Sequence, residues 1–260
     1  MKCRLCSENI LEAVFSANLF GRTVLYFDCS TCGYLQTEQP TWLKEAYATS
    51  MNDTDTGVMS RNVAYASLTL ATLALIRETK SQIVDYAGGH GFLVRLLRDI
   101  GIDAFWSDPY ATNLVAKGFE YSDKEKANIK LVTIFEAFEH FTDPLKEIEK
   151  IFSIAPNILL STSIAPFPAP QPADWWYYGL EHGQHVGFFR LKTLNYLAHK
   201  FNFYLISDEK SVHFFSKKKH STYIWKFFGI LAYRFTKLFS FVIGLKSKVW
   251  TDHLQIKSLK

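Results

Sequence analysis

The chain has 260 residues, of which 48% are hydrophobic and 16% aromatic, so it can bury one substantial core together with a small appended module. This composition excludes a disordered chain, and the lack of an uncharged apolar run of about 18 residues excludes a membrane-spanning helix. The net charge is +4, but residues 210–260 hold 11 Lys or Arg against Asp252 alone, which leaves a net −6 for residues 1–209. Residues 1–4 carry no apolar signal region, so we expect a cytoplasmic protein.

All four cysteines lie in the first 32 residues, as the pairs Cys3-x-x-Cys6 and Cys29-x-x-Cys32. Each pair can form a tight turn that points two thiolates at one ion, and two such turns complete a tetrahedral sulfur shell. The spacing therefore predicts a structural zinc site, with two disulfides as the competing interpretation. Residues 7–28 contain one Arg and no Lys, so the basic footprint expected for a nucleic-acid partner is missing.

A break at residues 39–42 follows the cysteine module and precedes two predicted helices, over 43–47 and 63–76. The polar stretch between them, residues 50–57, is a candidate lid over a cofactor or substrate, with an inert linker as the alternative. The Arg61–Asn62 pair is expected either to hydrogen-bond an acidic substrate or to cap the second helix.

A strand, a glycine turn and a helix are predicted over residues 83–97. Ile83–Tyr86 is short, apolar and β-prone, and Phe92–Leu97 carries the apolar residues of a buried helix. The turn between them holds Gly88, Gly89 and Gly91. Glycines permit backbone conformations that are closed to other residues, so a ligand can lie directly on the turn beside the free N–H groups of the helix.

Asp85 lies two residues before this turn, where a carboxylate suits a ligand that is cationic or rich in hydrogen-bond donors. The pattern acidic-x-Gly-x-Gly-x-Gly, with Ala87 in the first glycine place, resembles the first motif of class I S-adenosylmethionine-dependent methyltransferases. The resemblance implies that Gly89 and Gly91 pass beneath the amino-acid portion of the cofactor and that Asp85 anchors it. Ala87 departs from the motif, and we expect it to be tolerated only with a negative φ. 

Two other interpretations of the turn stay open. A nicotinamide oxidoreductase requires G-x-G-x-x-G, and the glycine spacing in this chain does not keep that pattern. An ordinary glycine-rich turn of another α/β domain is the second alternative, because such turns are common.

The next predicted strand, Asp103–Pro109, is closed by Asp108, 19 residues after Gly89. An acidic side chain at this end of a parallel strand can accept both ribose hydroxyls of a cofactor, and Pro109 lies beside it. The alternative is that Asp108 caps the following helix, because Asp before Pro is a common helix start.

A third strand, Leu131–Phe135, runs into an E-x-x-E-H-x-x-D-P segment over residues 136–144. This segment resembles the one that follows the fourth strand of many small-molecule methyltransferases. The resemblance assigns Phe135 and Glu136 to the cofactor site and implies that the Glu139–His140 pair is structural more often than catalytic. The remaining predicted elements of the domain are a helix over 145–152, a strand over 157–162, a helix over 191–200, and a closing hairpin with strands over 203–207 and 212–216.

Residues 166–189 form the most unusual segment. Prolines at 166, 168, 170 and 172 stiffen its first part, and four aromatic residues follow at 175–178. Glu181, His182, Gln184 and His185 come next, so in a cleft this segment would present a flat apolar wall with acid-base groups at its edge. A hydrogen-bonded loop is the structural alternative, and a His-x-x-His metal site lacks a further carboxylate ligand at an evident spacing.

Together with the cysteine module, the run Tyr178–His182 makes the chain similar to sugar C-methyltransferases, which methylate a deoxysugar carried on a nucleotide. The resemblance implies that Glu181 and His182, and less directly Tyr178, deprotonate the carbon next to a ketone. A base is needed because carbon is not nucleophilic until an enolate forms. O- or N-methylation of another small molecule stays open, since a histidine base would serve those reactions too.

Residues 224–245 are predicted to form an amphipathic helix with a basic stripe at Lys226, Arg234 and Lys237. It is expected to pack on the catalytic domain or on a second subunit of a homo-oligomer. Peripheral contact with the inner face of a membrane is the competing hypothesis.

The expected fold is α/β, a class I methyltransferase (Rossmann-like) and mostly parallel seven-stranded sheet, with a small N-terminal zinc-binding module and a C-terminal helical extension. The predicted function is methyl transfer from S-adenosylmethionine to a small molecule, with a non-catalytic binding module of the same fold as the alternative. The predicted domains are a Cys₄ zinc module at 1–40, a helical linker or lid at 41–80, a cofactor-binding domain at 81–216 and a basic helical extension at 217–260.

Overall fold

The computed structural model describes residues 1–10, 12–47, 55–122 and 129–258. They divide into two compact units. The first unit comprises residues 1–52, 136–150 and 160–215, and the second comprises residues 53–135, 151–159 and 216–260.

Ten strands are present in the described part of the chain. Their bounds are β1 Phe15–Leu19, β2 Arg22–Asp28, β3 Leu35–Thr37, β4 Gln82–Tyr86, β5 Asp103–Ser107, β6 Ile129–Phe135, β7 Asn157–Ser161, β8 Gly187–Phe188, β9 Tyr204–Ser207 and β10 Val212–Ser216.

The described α-helices are α1 Leu43–Ala46, α2 Val58–Ile76, α3 Phe92–Asp99, α4 Pro144–Phe152, α5 Leu191–Phe201, α6 Thr222–Arg234, α7 Thr236–Val242 and α8 Val249–Ser258. Helix α2 begins five residues before the predicted start at residue 63.

The larger sheet has the strand order β5-β4-β6-β7-β10-β9, and β4 pairs in parallel with both β5 and β6. Six strands are therefore seen among the described residues instead of the seven expected. Parallel strands are usually covered by helices on both faces of the sheet, so their residues are mostly apolar. Strand β4 follows this rule apart from Gln82 and Asp85.

A second, four-stranded sheet has the order β1-β2-β3-β8, with β1, β2 and β3 forming an antiparallel meander. Its last strand comes from the unusual 166–189 segment, where Gly187 and Phe188 pair antiparallel with Gln36 and Leu35. This pairing was not predicted, because two strands about 150 residues apart in the chain leave no local sequence pattern that would show them to be neighbours.

The core of the first unit is aromatic. Tyr178 and Phe188 pack against Tyr26, with ring centroids 5.4 and 6.2 Å from it, and Trp42 donates its indole N–H to the Gly183 carbonyl at 2.7 Å. The unusual segment is therefore built into this core through these aromatic side chains.

Two helices, α6 and α7, stand in place of one continuous helix over 224–245, and α8 follows them. The chain leaves helical geometry at Phe235 (φ −137°, ψ 42°), between α6 and α7. Helix α6 packs on α2, where the indole of Trp225 donates to the hydroxyl of Thr72 at 3.0 Å. Packing on the body of the protein was the first of the expected alternatives. Within the described residues, no helix is both long and apolar enough to cross a bilayer.

Helix α8 is held by an ion cluster in the second unit. Asp252, with 2% of its surface exposed, accepts two hydrogen bonds from Arg98 at 2.8 Å and one from Arg95 at 2.5 Å. Arg98 is also buried, bonds Asp103, and lies 3.7 Å from the centre of the Phe119 ring. The last helix is therefore an integral part of this unit.

Candidate cofactor and acceptor sites

The glycine turn between β4 and α3 has the conformation that its sequence predicts. Gly89 and Gly91 have φ values of +52° and +88°, in the left-handed region that favours glycine. A Cβ on Gly91 would lie 2.9 Å from Ala116, and one on Gly88 would lie 2.8 Å from the carboxylate of Asp85. A Cβ on Gly89 would meet no protein atom within 4 Å, so the turn is open at this position.

Ala87 was expected to be tolerated only with a negative φ, and otherwise to hinder close approach of the cofactor; its φ is +56°, so the expected backbone conformation is wrong. The left-handed conformation costs a non-glycine residue about 1–2 kcal/mol. The turn forms nonetheless, because the Gly88 N–H donates to the Ser107 carbonyl at 3.3 Å and the Gly91 N–H donates to the Gly88 carbonyl at 3.0 Å. Ala87 thus keeps the backbone path of a glycine at a cost in strain.

Asp85 is buried at the end of β4, with 3% of its surface exposed, and one carboxylate oxygen accepts from the Thr133 hydroxyl at 2.8 Å. Burial raises the pKa of Asp85 to about 7, the Thr133 hydrogen bond opposes the rise, and the charge of Asp108 adds to it. A cationic ligand beside Asp85 would favour the ionised form and relieve this cost. The residues present therefore fit the ammonium group of S-adenosylmethionine.

The Asp108 side chain joins the glycine turn to the residues that follow β5. One oxygen accepts from the Gly89 N–H at 2.9 Å, and the other accepts from the N–H groups of Tyr110 and Ala111 at 2.8 and 2.9 Å. The capping alternative is therefore seen in the structure, although on a turn instead of an α-helix. A carboxylate can accept about four hydrogen bonds, so a ribose hydroxyl still has a place.

Three other predicted cofactor positions lie near these strand ends. Phe135, the last residue of β6, stacks face to face on Tyr65 with ring centroids 4.0 Å apart. Glu136 follows with φ +53° in an exposed position, and Pro109 is exposed beside Asp108.

The predicted lid is only partly described, because residues 50–54 of it lie outside the described ranges. Its last part is held by Arg61, whose guanidinium makes two hydrogen bonds to Asp55, at 2.7 and 2.9 Å. Asn62 donates to the Val58 carbonyl at 2.8 Å. Both side chains of the Arg61–Asn62 pair are thus engaged by the start of α2.

The four cysteines converge in the first unit. The Sγ atoms of Cys3 and Cys32 lie 3.6 Å apart, those of Cys6 and Cys29 lie 3.5 Å apart, and all four lie within 4.8 Å of one another. A disulfide bond is about 2.05 Å long, so none is formed. Each pair closes a matching turn, with the N–H of Ser7 on the Cys3 carbonyl and that of Gly33 on the Cys29 carbonyl. Four converging thiols fit a tetrahedral zinc ion.

The residues assigned to a catalytic base differ in environment. The Tyr178 side chain is fully buried in the aromatic core, and its hydroxyl donates to the Pro170 carbonyl at 2.9 Å. Glu181 is exposed. His182 is half-buried and accepts from the Gln184 N–H at Nδ1, at 3.2 Å. Burial, and then the charge of His185, lower the pKa of His182, and nearby Glu181 partly opposes this. Because Nδ1 accepts there, the neutral ring carries its proton on Nε2, and His182 can act as a base only when Nδ1 releases the Gln184 N–H.

A further cluster was not predicted. Glu139, His140 and His185 place one ligand atom each within 4.8 Å of one another. Sequence analysis treated Glu139–His140 as structural and considered only His182 and His185 as a histidine pair. The cluster instead joins His185 to Glu139 and His140, which lie 46 and 45 positions before it in the chain, and no spacing rule could have found it.

Comparison with known proteins agrees with this geometry. A family described as a methyltransferase domain matches residues 59–208. No curated protein matches the chain. The Burkholderia thailandensis 1,6-didemethyltoxoflavin-N1-methyltransferase, solved with S-adenosylhomocysteine, is 13% identical with a TM-score of 0.50, over 78% of this chain and 99% of that one.

Two further solved structures are similar over a smaller share of their length. OxaC, in complex with S-adenosylhomocysteine and oxaline, is 17% identical over 69% of this chain and 54% of its own, with a TM-score of 0.47. TnmH is 12% identical over 69% and 62%, with a TM-score of 0.42. The chain thus spans less than two thirds of either protein. Since the family match covers more than half of its residues, the chain belongs to the methyltransferase-domain family.

Proposed function

We propose that this protein transfers a methyl group from S-adenosylmethionine to a small-molecule acceptor. The observation that carries the proposal is the open backbone at Gly89, which lies in a turn braced by Asp108 and preceded by the buried carboxylate of Asp85. A floor without side chains, between two carboxylates, suits a ligand with an ammonium group at one end and hydroxyl groups at the other.

Each protein group has a separate part in binding. Asp85 receives the ammonium group, Asp108 accepts from a ribose hydroxyl, and the bare backbone at Gly88, Gly89 and Gly91 lets the cofactor approach closely. Phe135, Glu136 and Pro109 border it at the neighbouring strand ends. The cofactor supplies an electrophilic methyl group, and the protein contributes mainly by positioning the acceptor.

Isothermal titration with S-adenosylmethionine and S-adenosylhomocysteine tests cofactor binding. We expect Asp85→Asn and Asp108→Asn to weaken both ligands at least tenfold, whereas the matched control Asp143→Asn, an exposed aspartate before α4, leaves affinity unchanged. Gly89→Ala adds a Cβ that would touch no protein atom, but at φ +52° it also costs about 1–2 kcal/mol of backbone strain. A loss of affinity in a Gly89→Ala protein whose free energy of unfolding falls by no more than this amount reports contact with the ligand, and no binding to the intact protein would reject the proposal.

For the acceptor we propose a carbon of a nucleotide-linked keto-sugar, with His182 as the base and Glu181 supporting its protonated form. The hydroxyl of Tyr178 already donates to Pro170, so its part is to hold the loop in place. N-methylation of another small molecule is the second candidate, because the relative similar over most of the chain is an N1-methyltransferase. O-methylation would use the same base.

Hydrogen exchange in deuterated water separates these reactions. C-methylation requires removal of the proton next to the ketone, so the enzyme with a keto-deoxysugar nucleotide should exchange that proton, whereas an N- or O-methyltransferase has no need to. His182→Gln and Glu181→Gln should slow exchange and turnover and leave cofactor affinity unchanged. Normal turnover in both variants contradicts their assignment. Cofactor binding without turnover on any acceptor class would favour the non-catalytic binding module. The strained Ala87 is the residue of this chain that favours that alternative.

The N-terminal cysteine cluster is proposed to hold one structural zinc ion. Four thiolates leave no open position, so the ion would stabilise the first unit without taking part in chemistry. Metal analysis should find zinc in the protein, and Cys29→Ser should remove one ion per chain and lower the melting temperature. A metal-free protein of unchanged stability would contradict this.

The C-terminal helices are proposed to bind an anionic lipid surface from the cytoplasmic side. Tyr223, Phe227 and Phe241 expose 87%, 58% and 76% of their surfaces, and residues 210–260 carry a net charge of +10. An exposed apolar face with basic residues suits the interface of an anionic membrane.

Flotation with anionic and neutral liposomes tests this surface. Truncation at residue 216 would uncover α2, so the point variants Phe227→Ser and Phe241→Ser are better, with Tyr204→Ser as an exposed control. We expect only the first two variants to lose binding to anionic vesicles. A protein that forms dimers and does not float would show instead that a second copy covers the face.

A further inference from the structure

We propose that Glu139, His140 and His185 form a second metal site, which takes a divalent first-row transition ion and is separate from the cysteine cluster. One ligand atom from each residue lies within 4.8 Å of the others. Two imidazoles and a carboxylate are a common donor set for Zn²⁺, Fe²⁺ and Co²⁺.

The carboxyl group of Glu139, which hydrogen-bonds Tyr177 and Thr162, has a second oxygen that could hold an ion. Only 1% of its surface is exposed, and its Oε2 atom is buried without a hydrogen-bond partner among the described residues. Such a buried acceptor costs about 1–3 kcal/mol, and more when it is charged. A metal ion held jointly with the two histidines would remove this cost.

His185 has one nitrogen occupied and the other available, whereas the ring of His140 also hydrogen-bonds the Gln184 backbone, a contact that an ion at its second nitrogen would replace. Nδ1 of His185 lies 2.6 Å from the Tyr177 carbonyl, so it donates there and leaves Nε2 with its lone pair. Nδ1 of His140 lies 2.8 Å from the hydroxyl of Tyr47. Metal-bound histidines almost always have such a partner on the second nitrogen, because it sets the tautomer and orients the ring.

The two segments that supply the ligands are held together. Glu139 and His140 lie in a 3₁₀ turn at Phe138–His140, shortly after β6, and His185 lies two residues before β8. The N–H of Val186, next to His185, donates to the Glu139 carbonyl at 2.8 Å. The ligands are therefore positioned by backbone hydrogen bonds before any ion binds.

Three protein ligands leave at least one position of the ion open. Water or an oxygen atom of an acceptor would complete the shell, and the ion would then orient that oxygen and stabilise negative charge on it. The chemical class of ligand for this site is thus an oxygen donor, such as a hydroxyl or a ketone.

Titration with Co²⁺ tests the site in full-length protein whose cysteine cluster holds zinc. We expect one additional cobalt per chain, with visible bands typical of nitrogen and oxygen ligands and without the thiolate charge-transfer band that cobalt at the cysteines would give. Glu139→Gln and His185→Gln should weaken this binding roughly tenfold or more. The matched controls are Glu149→Gln and His199→Gln, which change an exposed carboxylate and an exposed histidine outside the ligand set.

A thermal readout makes the test independent of the variants' own stability. A ligand that binds only the folded state raises its melting temperature, so added Zn²⁺ should stabilise the parent protein and both controls but neither ligand variant. Cobalt uptake only with a thiolate signature, or uptake unchanged in Glu139→Gln and His185→Gln, would overturn the proposal. The parent stoichiometry decides the matter even if a ligand variant does not fold.

Discussion

The Asp85→Asn substitution should stabilise the protein and at the same time remove cofactor binding. Burial is the main reason that the pKa of Asp85 rises from 3.8 to about 7 in the folded protein. One pKa unit corresponds to 1.36 kcal/mol, so an ionised Asp85 costs the folded state about 4 kcal/mol above pH 7. Asparagine carries no charge and can still accept from Thr133 through its side-chain oxygen. Its amide group needs a new acceptor, at about 1–3 kcal/mol, so we expect a net gain of about 1–3 kcal/mol.

The pH dependence follows from the sign of the shift. Because the folded state holds the Asp85 proton more tightly than the unfolded state, the parent protein should lose stability as the pH rises from about 4 to about 7. The Asn variant lacks this titration, so the difference in unfolding free energy between the two proteins should grow over that interval and then stay constant.

Urea unfolding at several pH values between 4 and 8 measures this difference, and other titrating groups cancel in it. Cofactor affinity of the parent should rise over the same interval, because Asp85 must be ionised to pair with an ammonium group, whereas any residual affinity of the variant should not change. A variant that is less stable than the parent at pH 8, with the same pH profile, would refute the reasoning.

Two further substitutions test strain and the C-terminal contact. Ala87→Gly should raise the free energy of unfolding by about 0.5–1 kcal/mol. It removes left-handed strain of about 1–2 kcal/mol, and the greater backbone entropy of glycine in the unfolded state offsets part of this gain. An unchanged or lower free energy in urea unfolding would argue against the positive φ. Asp252→Ala should lower the free energy of unfolding by about 3–5 kcal/mol, because the substitution leaves the buried guanidinium of Arg98 without its main partner. A loss below about 1 kcal/mol would show that this ion cluster does not hold α8.

The parts of the fold that sequence analysis predicted have short-range causes. The strand, turn and helix around Gly89 follow from a short, apolar and β-prone run, from glycines at neighbouring positions and from the apolar residues of a buried helix. The closing strands β9 and β10 and the helices α4 and α5 fall within one residue of their predicted bounds. Convergence of the four cysteines follows from two short repeats, each of which needs only its own turn.

The failed or missing predictions concern contacts between distant segments. Ala87 takes a positive φ because hydrogen bonds around the turn set its backbone. The pairing of β3 with β8 depends on where the fold places two short strands.

The sequence by itself determined the class of fold, the glycine turn and the cysteine cluster, since each depends on residues a few positions apart. Only the tertiary structure decided that Glu139 and His140 lie beside His185, and that the hydroxyl of Tyr178 is hydrogen-bonded to the Pro170 carbonyl. Side chains far apart in the chain become neighbours through the packing of whole elements, and a local pattern carries no information about that packing.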